Sequence, residues 1–256
     1  MQEIQSPYVR YQVSNKVGTI EFFTPQHNSM PKYILTQLAE TIEKAGLDQD
    51  SKVLVLKTAG EKTFCAGAFF DELLQIQDEV EGHIFFSGFA KVINAMRKCP
   101  KFIIGRIQGK AIGGGVGLAA SCDYTFATSE ASIKLSELAV GIGPFVVAPA
   151  IERKIGKSAT YELAIDATNF RSAEWAREKG LYTQVCSSIH LMDLAIKKMA
   201  FTLSESSTKA MAEMKKAFWQ GTENWDQFLL DRAAISGHLI VTEEAKSYLR
   251  SFKKWK

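Results

Sequence analysis

Five glycines fall between Gly109 and Gly117, in the run GKAIGGGVGLAASCD (109–123), directly after the apolar stretch KFIIGRIQ (101–108). A backbone stripped of side chains lets something come close. Three readings suit it. Gly115-Val-Gly117-Leu-Ala-Ala120 fits a GxGxxA dinucleotide fingerprint, with the acidic Glu137 about 20 residues on. Against this, only about eight residues separate Gly115 from the next predicted strand near Tyr124, and a parallel crossover needs about a dozen or more. The second reading is packing alone, since small residues let a helix lie tightly on a sheet. The third is an oxyanion hole. A glycine run that opens a helix presents free N–H groups at the positive end of the helix dipole, and these can hold an oxygen that gains charge during a reaction.

One loop seldom supplies every donor. A second small-residue loop, FCAGA (64–68), also lies between a predicted strand and a predicted helix. Taken with KLSELAVGIGPFVVAPAIERKIG (134–156), the two loops resemble the enoyl-CoA hydratase/isomerase, or crotonase, family. That family carries an FxAGAD loop, then a GGG loop ending in CD, then a PE-x-x-x-G segment. The resemblance runs from about Val17 to Val185. It implies an α/β fold: a crotonase-like spiral of ββα units with a helical C-terminal trimerisation region. Residues 1–195 would form the core with the acyl-CoA site, and 196–256 the helical region.

The resemblance implies roles residue by residue. The backbone N–H groups of Ala68 and Gly114 match the donors that hold a thioester oxygen, and Glu137 matches the general acid/base. The Ala66 carbonyl would meet the adenine of coenzyme A. Gln26, His27 and Asn28 would border the pantetheine path, and Lys253 or Lys254 the 3′-phosphate. Coenzyme A would arrive as part of an acyl-CoA thioester substrate, with no permanently bound cofactor. The assembly would be a homotrimer or a dimer of trimers.

Three departures from the family pattern matter. Gly117 stands where the family hydratases carry a first glutamate. Phe145-Val-Val-Ala-Pro149 replaces a glycine-rich stretch, which makes for a drier pocket if it lines one. Phe69 replaces the usual Asp. One carboxylate beside an oxyanion hole can move a proton between carbons, whereas water addition is ordinarily divided between two. The leading expectation is an enoyl-CoA hydratase-type lyase, with Δ3-Δ2 isomerisation by Glu137 alone as the alternative. A non-catalytic acyl-CoA-binding protein is the rival of another class. The apolar run LSELAVGIG (135–143) around Glu137 suits a carboxylate whose pKa burial raises. His83, on a helix that often borders the family pocket, is a lesser candidate for acid/base work. Cys65 reads as a small core residue, and Asp71 and Glu72 as a solvated face.

The elements that must position these residues follow from periodicity. YVRYQVSNKVGTIEFFT alternates as two strands about a turn at Asn15–Gly18. Ile34, Leu35, Leu38, Ile42 and Ala45 repeat at helical spacing behind Pro31. VLVLKT (53–58) reads as a buried strand, with helices from about Phe70 to Ile76 and Glu81 to Arg97. KFIIGRIQGKAI reads as one strand leading into a short helix that ends near Cys122. Strands follow at 124–128, 131–136 and 182–187. Helices follow at 149–155, 158–167, 172–179, 190–203, 205–219 and 223–236. Alternation early and helices late suggest an α/β body with a helical end.

The 256 residues suit one large domain, and a net charge of +3 is too small to call for nucleic acid. The four cysteines form no CxxC pair and suit a reducing compartment. The four histidines have no metal-ligand spacing, so no metal is expected. No apolar run approaches the roughly 18 residues of a membrane span, and no signal peptide is evident, so the expected location is cytoplasmic.

Overall fold

The computed structural model describes residues 6–253. The chain winds as a spiral whose turns repeat one plan. It opens with the antiparallel pair β1 (Tyr8–Ser14) and β2 (Val17–Phe23), followed by α1 (Lys32–Leu47). The next turn is β3 (Val53–Thr58), β4 (Thr63–Cys65), α2 (Phe70–Gln75) and α3 (Glu79–Lys98). Then come β5 (Ile103–Ile107), β6 (Lys110–Ile112) and α4 (Gly114–Ser121). The last full turn is β7 (Tyr124–Thr128), β8 (Ile133–Lys134) and α5 (Ala148–Ile165), which is broken at Gly156. After α6 (Ala173–Glu178), β9 (Gln184–Cys186) closes the large sheet. The helices α7 (Ile189–Ser204), α8 (Thr208–Phe218), α9 (Trp225–Ile240) and α10 (Glu243–Lys253) follow.

In the turns that begin at β3, β5 and β7 the first strand joins a six-stranded sheet, ordered β1-β2-β3-β5-β7-β9, and its successor joins a three-stranded parallel sheet, ordered β4-β6-β8. This is the expected spiral of ββα units. It corrects one reading: KFIIGRIQGKAI is two strands in different sheets. The chain leaves the large sheet at Gln108, whose side-chain amide donates to Thr58 Oγ1 and the Thr63 carbonyl. It then passes so close to β4 that a Cβ on Gly109 would lie 2.3 Å from the Lys62 carbonyl oxygen. The sequence reading also passed over β4, the short turn at Leu138–Val140 and α10.

The elements form for local reasons. VLVLKT has apolar residues on both faces and is almost wholly buried between layers. α4 is buried around its whole circumference, as a helix of Gly, Val, Leu and Ala can be, and its one polar side chain, Ser121, donates back to the Gly117 carbonyl. α1 lacks a capping side chain of its own, and Glu72 of α2 supplies one, its Oε2 accepting from Lys32 N at 2.8 Å. Glu72 is therefore a cap rather than a free solvated carboxylate. Gly82 of α3 faces Gly237 of α9 so closely that a Cβ on Gly82 would lie 2.7 Å from the Gly237 Cα. This contact presses α9 onto the core and brings Ser236 to the central cavity.

The Asp of the CD pair anchors α4 to the sheet. Asp123 Oδ2 accepts from Ile103 N at 2.8 Å and lies 2.9 Å from Lys215 Nζ. Lys215, on α8, is only 2% exposed and also donates to the Lys101 carbonyl. Removing one partner of such a pair strands the other charge. Lys215→Met should therefore lower the unfolding free energy by about 3 kcal/mol, measured by urea denaturation. Loss of Asp123 and Lys215 together should cost less than the sum of the single changes.

Candidate active site

One cavity of about 440 Å³ collects the chemistry. Its wall includes Gln26, His27, Ala66, Ala68, Gly114 and Glu137, all named from the sequence. The two glycine loops meet there. In the first, Met30 N donates to the Gly67 carbonyl and Phe69 N to the Met30 carbonyl, which makes a single parallel bridge between Met30 and Ala68. Such a bridge uses the neighbours of Ala68 and leaves the N–H of Ala68 facing away, without an acceptor among the described residues. Gly114 opens α4, so its N–H has no preceding turn to bond. The loops touch: a Cβ on Gly67 would lie 2.8 Å from the Ile112 carbonyl oxygen and 3.2 Å from Gly114 N. Gly67 also has φ +82°, which glycine alone adopts without strain. Two unspent donors at neighbouring backbones, one on a helix N-terminus, can hold an oxygen that becomes negative.

Glu137 comes to the same point from β8. Gly113 N donates to the Lys134 carbonyl at 2.8 Å, clamping the segment before Glu137 against the glycine run. The Glu137 carbonyl then accepts from Val140 N and Ile142 N, each at 3.1 Å, which closes the short turn and fixes the side-chain direction. A Cβ on Gly113 would lie 2.8 Å from Glu137 Oε1. Gly113 itself has φ +53°, so both its conformation and its neighbour require the missing side chain. The residue Glu137 as a whole is partly exposed, yet its Oε2 is closed from solvent and has no hydrogen-bond partner among the described residues.

Burial raises the Glu137 carboxyl to about 7, opposed only by its own backbone N–H. The folded value lies above the ordinary 4.5. Stability is therefore greatest when the group is protonated, below about 4.5, and falls as pH rises through about 7. The fall should amount to about 3 kcal/mol. Urea midpoints for the wild type should drop between pH 5 and pH 8 more than those of Glu137→Gln.

Around Glu137 the wall is largely apolar: Leu73 of α2, Phe86 and Phe89 of α3, and Val140, Ile142, Phe145, Val146 and Val147 line the cavity. The bulky segment 145–147 thus lines the cavity. Val147 also accounts for Gly117. A Cβ at position 117 would lie 2.6 Å from Val147 Cγ1 and 2.7 Å from its Cβ. The two departures from the family pattern are one packing event, in which valine fills the space a side chain at 117 would take. Gly117→Ala alone should cost about 1–3 kcal/mol. Adding Val147→Ala should recover part of that loss in a double-mutant cycle followed by thermal unfolding.

Other sequence candidates are sorted by the same geometry. His83 does not line the cavity, and its backbone packs against Gly237. Cys65 is fully buried and its thiol is pushed up to about 12 by burial, which leaves an unreactive core residue. Asn28 is turned inward, its amide donating to the Ala59 and Thr63 carbonyls, so it braces the FCAGA loop rather than facing the cavity. Ala66 lines the cavity, and its carbonyl has no backbone donor among the described residues. Phe69 and the exposed Asp71 also line it, so Asp71 borders the mouth instead of an unrelated surface. The side chain of Lys253 and all of Lys254 lie outside the described residues. Sequence reasoning missed Lys110, Lys134 and Phe170, which stand together on the rim. Among the described residues no cluster of three or more His, Cys, Asp or Glu could hold a metal, and no helix is long and apolar enough to cross a membrane.

Comparison with known proteins agrees with this geometry. Residues 12–253 match the enoyl-CoA hydratase/isomerase family model. A short-chain-enoyl-CoA hydratase of Clostridium acetobutylicum is 30% identical over 210 residues, covering 80% of this chain and 79% of its own. The mouse mitochondrial Delta(3,5)-Delta(2,4)-dienoyl-CoA isomerase is 28% identical over 202 residues, covering 74% of this chain and 61% of its own. The crystal structure of an enoyl-CoA hydratase from Bacillus halodurans superposes with a TM-score of 0.89 at 22% identity, covering 95% of this chain and 99% of that one. On its motifs, its fold and these matches, the chain belongs to the enoyl-CoA hydratase/isomerase family.

Proposed function

We propose that the protein acts on an unsaturated acyl-CoA thioester through an enolate, with Glu137 as its acid/base and double-bond isomerisation as the reaction its geometry supports best. The carrying observation is the Glu137 carboxyl, lodged against Gly113 in an apolar wall while Val147 fills the space beside Gly117. The N–H groups of Ala68 and Gly114 would hold the thioester oxygen. Ionised Glu137 would take a proton from C2 of a 3-enoyl ester, and the electron pair would pass to that oxygen as a dienolate. Return of the proton to C4 would re-form the carbonyl and leave the double bond between C2 and C3. One carboxylate suffices because it is first base and then acid. An acid constant near neutrality serves both halves.

Hydration is the second reading, and the hydratase names of relatives such as the Clostridium protein favour it. Glu137 would then hold a water for attack at C3 and return its proton to C2. NMR of products from a 2-enoyl-CoA and a 3-enoyl-CoA separates the two. A shifted double bond from the 3-enoyl ester, without a 3-hydroxyacyl product from either, supports isomerisation. A 3-hydroxyacyl product from the 2-enoyl ester establishes hydration instead. Binding of both esters with no reaction points to a binding protein.

A trimer, or a pair of trimers, belongs to the same proposal, supported by the exposed Leu191, Leu194 and Phe201 on one side of α7. A cytoplasmic location is supported by four buried cysteines without disulfides.

A further inference from the structure

The three-stranded sheet turns one face to the core and one to the cavity. Ala111 of β6 and Ile133 of β8 are fully buried on the core side. On the other side Thr63 pairs with Lys110, and Ile112 with Lys134. All four line the cavity. Alternation along short strands therefore aims two lysines at the wall of the active-site cavity. An isolated bridge between Ile133 and Arg171 fixes the neighbouring loop and sets Phe170 beside them. The Phe170 ring centre is 4.5 Å from Lys134 Nζ and 5.2 Å from Lys110 Nζ, and the residue is 40% exposed.

Neither ammonium has a hydrogen-bond acceptor or carboxylate partner among the described residues. The contrast with other cations is plain. Buried Lys101 and Lys215 are bonded to carbonyls, and Arg171 pairs with Glu162 and Asp166. Asp71, the carboxylate at the mouth, pairs with neither rim lysine. Two like charges gathered on one ring repel each other, and the ring face offsets only part of that. Lys134 is held below the usual lysine range by burial and then by the charge of Lys110. Its position matters too, for it lies in the segment clamped to Gly113 just ahead of Glu137.

We infer that Lys110 and Lys134, braced by Phe170, form an anion subsite that takes a second negatively charged group of the substrate, a carboxylate or a phosphate. This rests on the acyl-CoA reading above. Such a group arises from two sources: a carboxylate at the far end of the acyl chain, or a phosphate of coenzyme A. Bound, it would give each ammonium the acceptor it lacks and remove the repulsion between them.

The test uses two unreactive esters, butyryl-CoA and glutaryl-CoA, which differ in a terminal carboxylate. Binding is measured by calorimetry at low and moderate salt for wild type, Lys110→Met with Lys134→Met, and Lys110→Arg with Lys134→Arg. The methionine pair is expected to bind at least about tenfold more weakly, with a flatter salt dependence. The arginine pair should retain most of the affinity. A loss confined to glutaryl-CoA assigns the subsite to an acyl carboxylate. An equal loss for both esters, rescued by arginine, assigns it to a coenzyme A phosphate. Unchanged affinities, or a loss that arginine does not rescue, overturn the subsite while leaving the acyl-CoA reading in place. If neither ester binds the wild type, the acyl-CoA reading fails and the subsite with it.

Discussion

Glu137→Gln will lower kcat on the reactive enoyl-CoA by about 10²- to 10⁴-fold, the usual range for loss of a positioned acid/base. The change keeps shape and removes the titrating group. It also removes the cost of a carboxyl that burial raises to about 7. The variant should therefore gain stability at pH 8 while it loses activity, as expected where a functional group is held in an unfavourable setting. The same value predicts the wild-type pH profile. As a base in the free enzyme, Glu137 must be ionised, so kcat/KM should rise with pH and level off above about 7. Urea titrations and steady-state kinetics on the two proteins check both halves. A variant with wild-type kcat would remove Glu137 from the chemistry.

Gly67→Ala is the second large effect. Its methyl would sit 2.8 Å from the Ile112 carbonyl oxygen and 3.2 Å from Gly114 N, in the seam between the two donor loops. Either the loops part or the methyl covers a donor, and a missing oxyanion donor typically costs about 10²- to 10³-fold in kcat. The φ of +82° adds strain of about 1 kcal/mol or more to the folded state. Thermal unfolding, run beside the kinetics, separates the two contributions. Loss of kcat in a protein that remains folded at the assay temperature assigns the effect to the hole. Because the donors are backbone groups, no side-chain change at Ala68 short of proline deletes its N–H.

What could be read from the chain depended on how local the cause was. VLVLKT declares a buried strand by its own composition, and its limits agree with β3. The glycine loops are legible because conformations such as that of Gly113 tolerate little else. The division of KFIIGRIQGKAI between two sheets was not legible. It depends on how closely Gly109 passes β4, a contact with a segment more than forty residues earlier. The same holds for Val147. Its bulk was visible, and so was the absence of a side chain at 117, but their contact belongs to the packing of α4 against α5. Lys110 and Lys134 look like ordinary surface lysines until strand pairing sets them on one face. Glu72 looks solvated until α1 presents an uncapped N-terminus to it. Local pattern marked the chemistry of single loops, and long-range register decided which residues share the cavity.

The most direct test of the central claim is exchange of the C2 protons of butyryl-CoA in deuterated water, followed by NMR. This saturated ester can neither isomerise nor hydrate, so exchange reports only on the thioester carbonyl, its two backbone donors and the base. Deuterium is expected at C2 with the wild type and very little with Glu137→Gln at matched occupancy. Tight binding of butyryl-CoA by the wild type with no exchange, or equal exchange by Glu137→Gln, would contradict that claim.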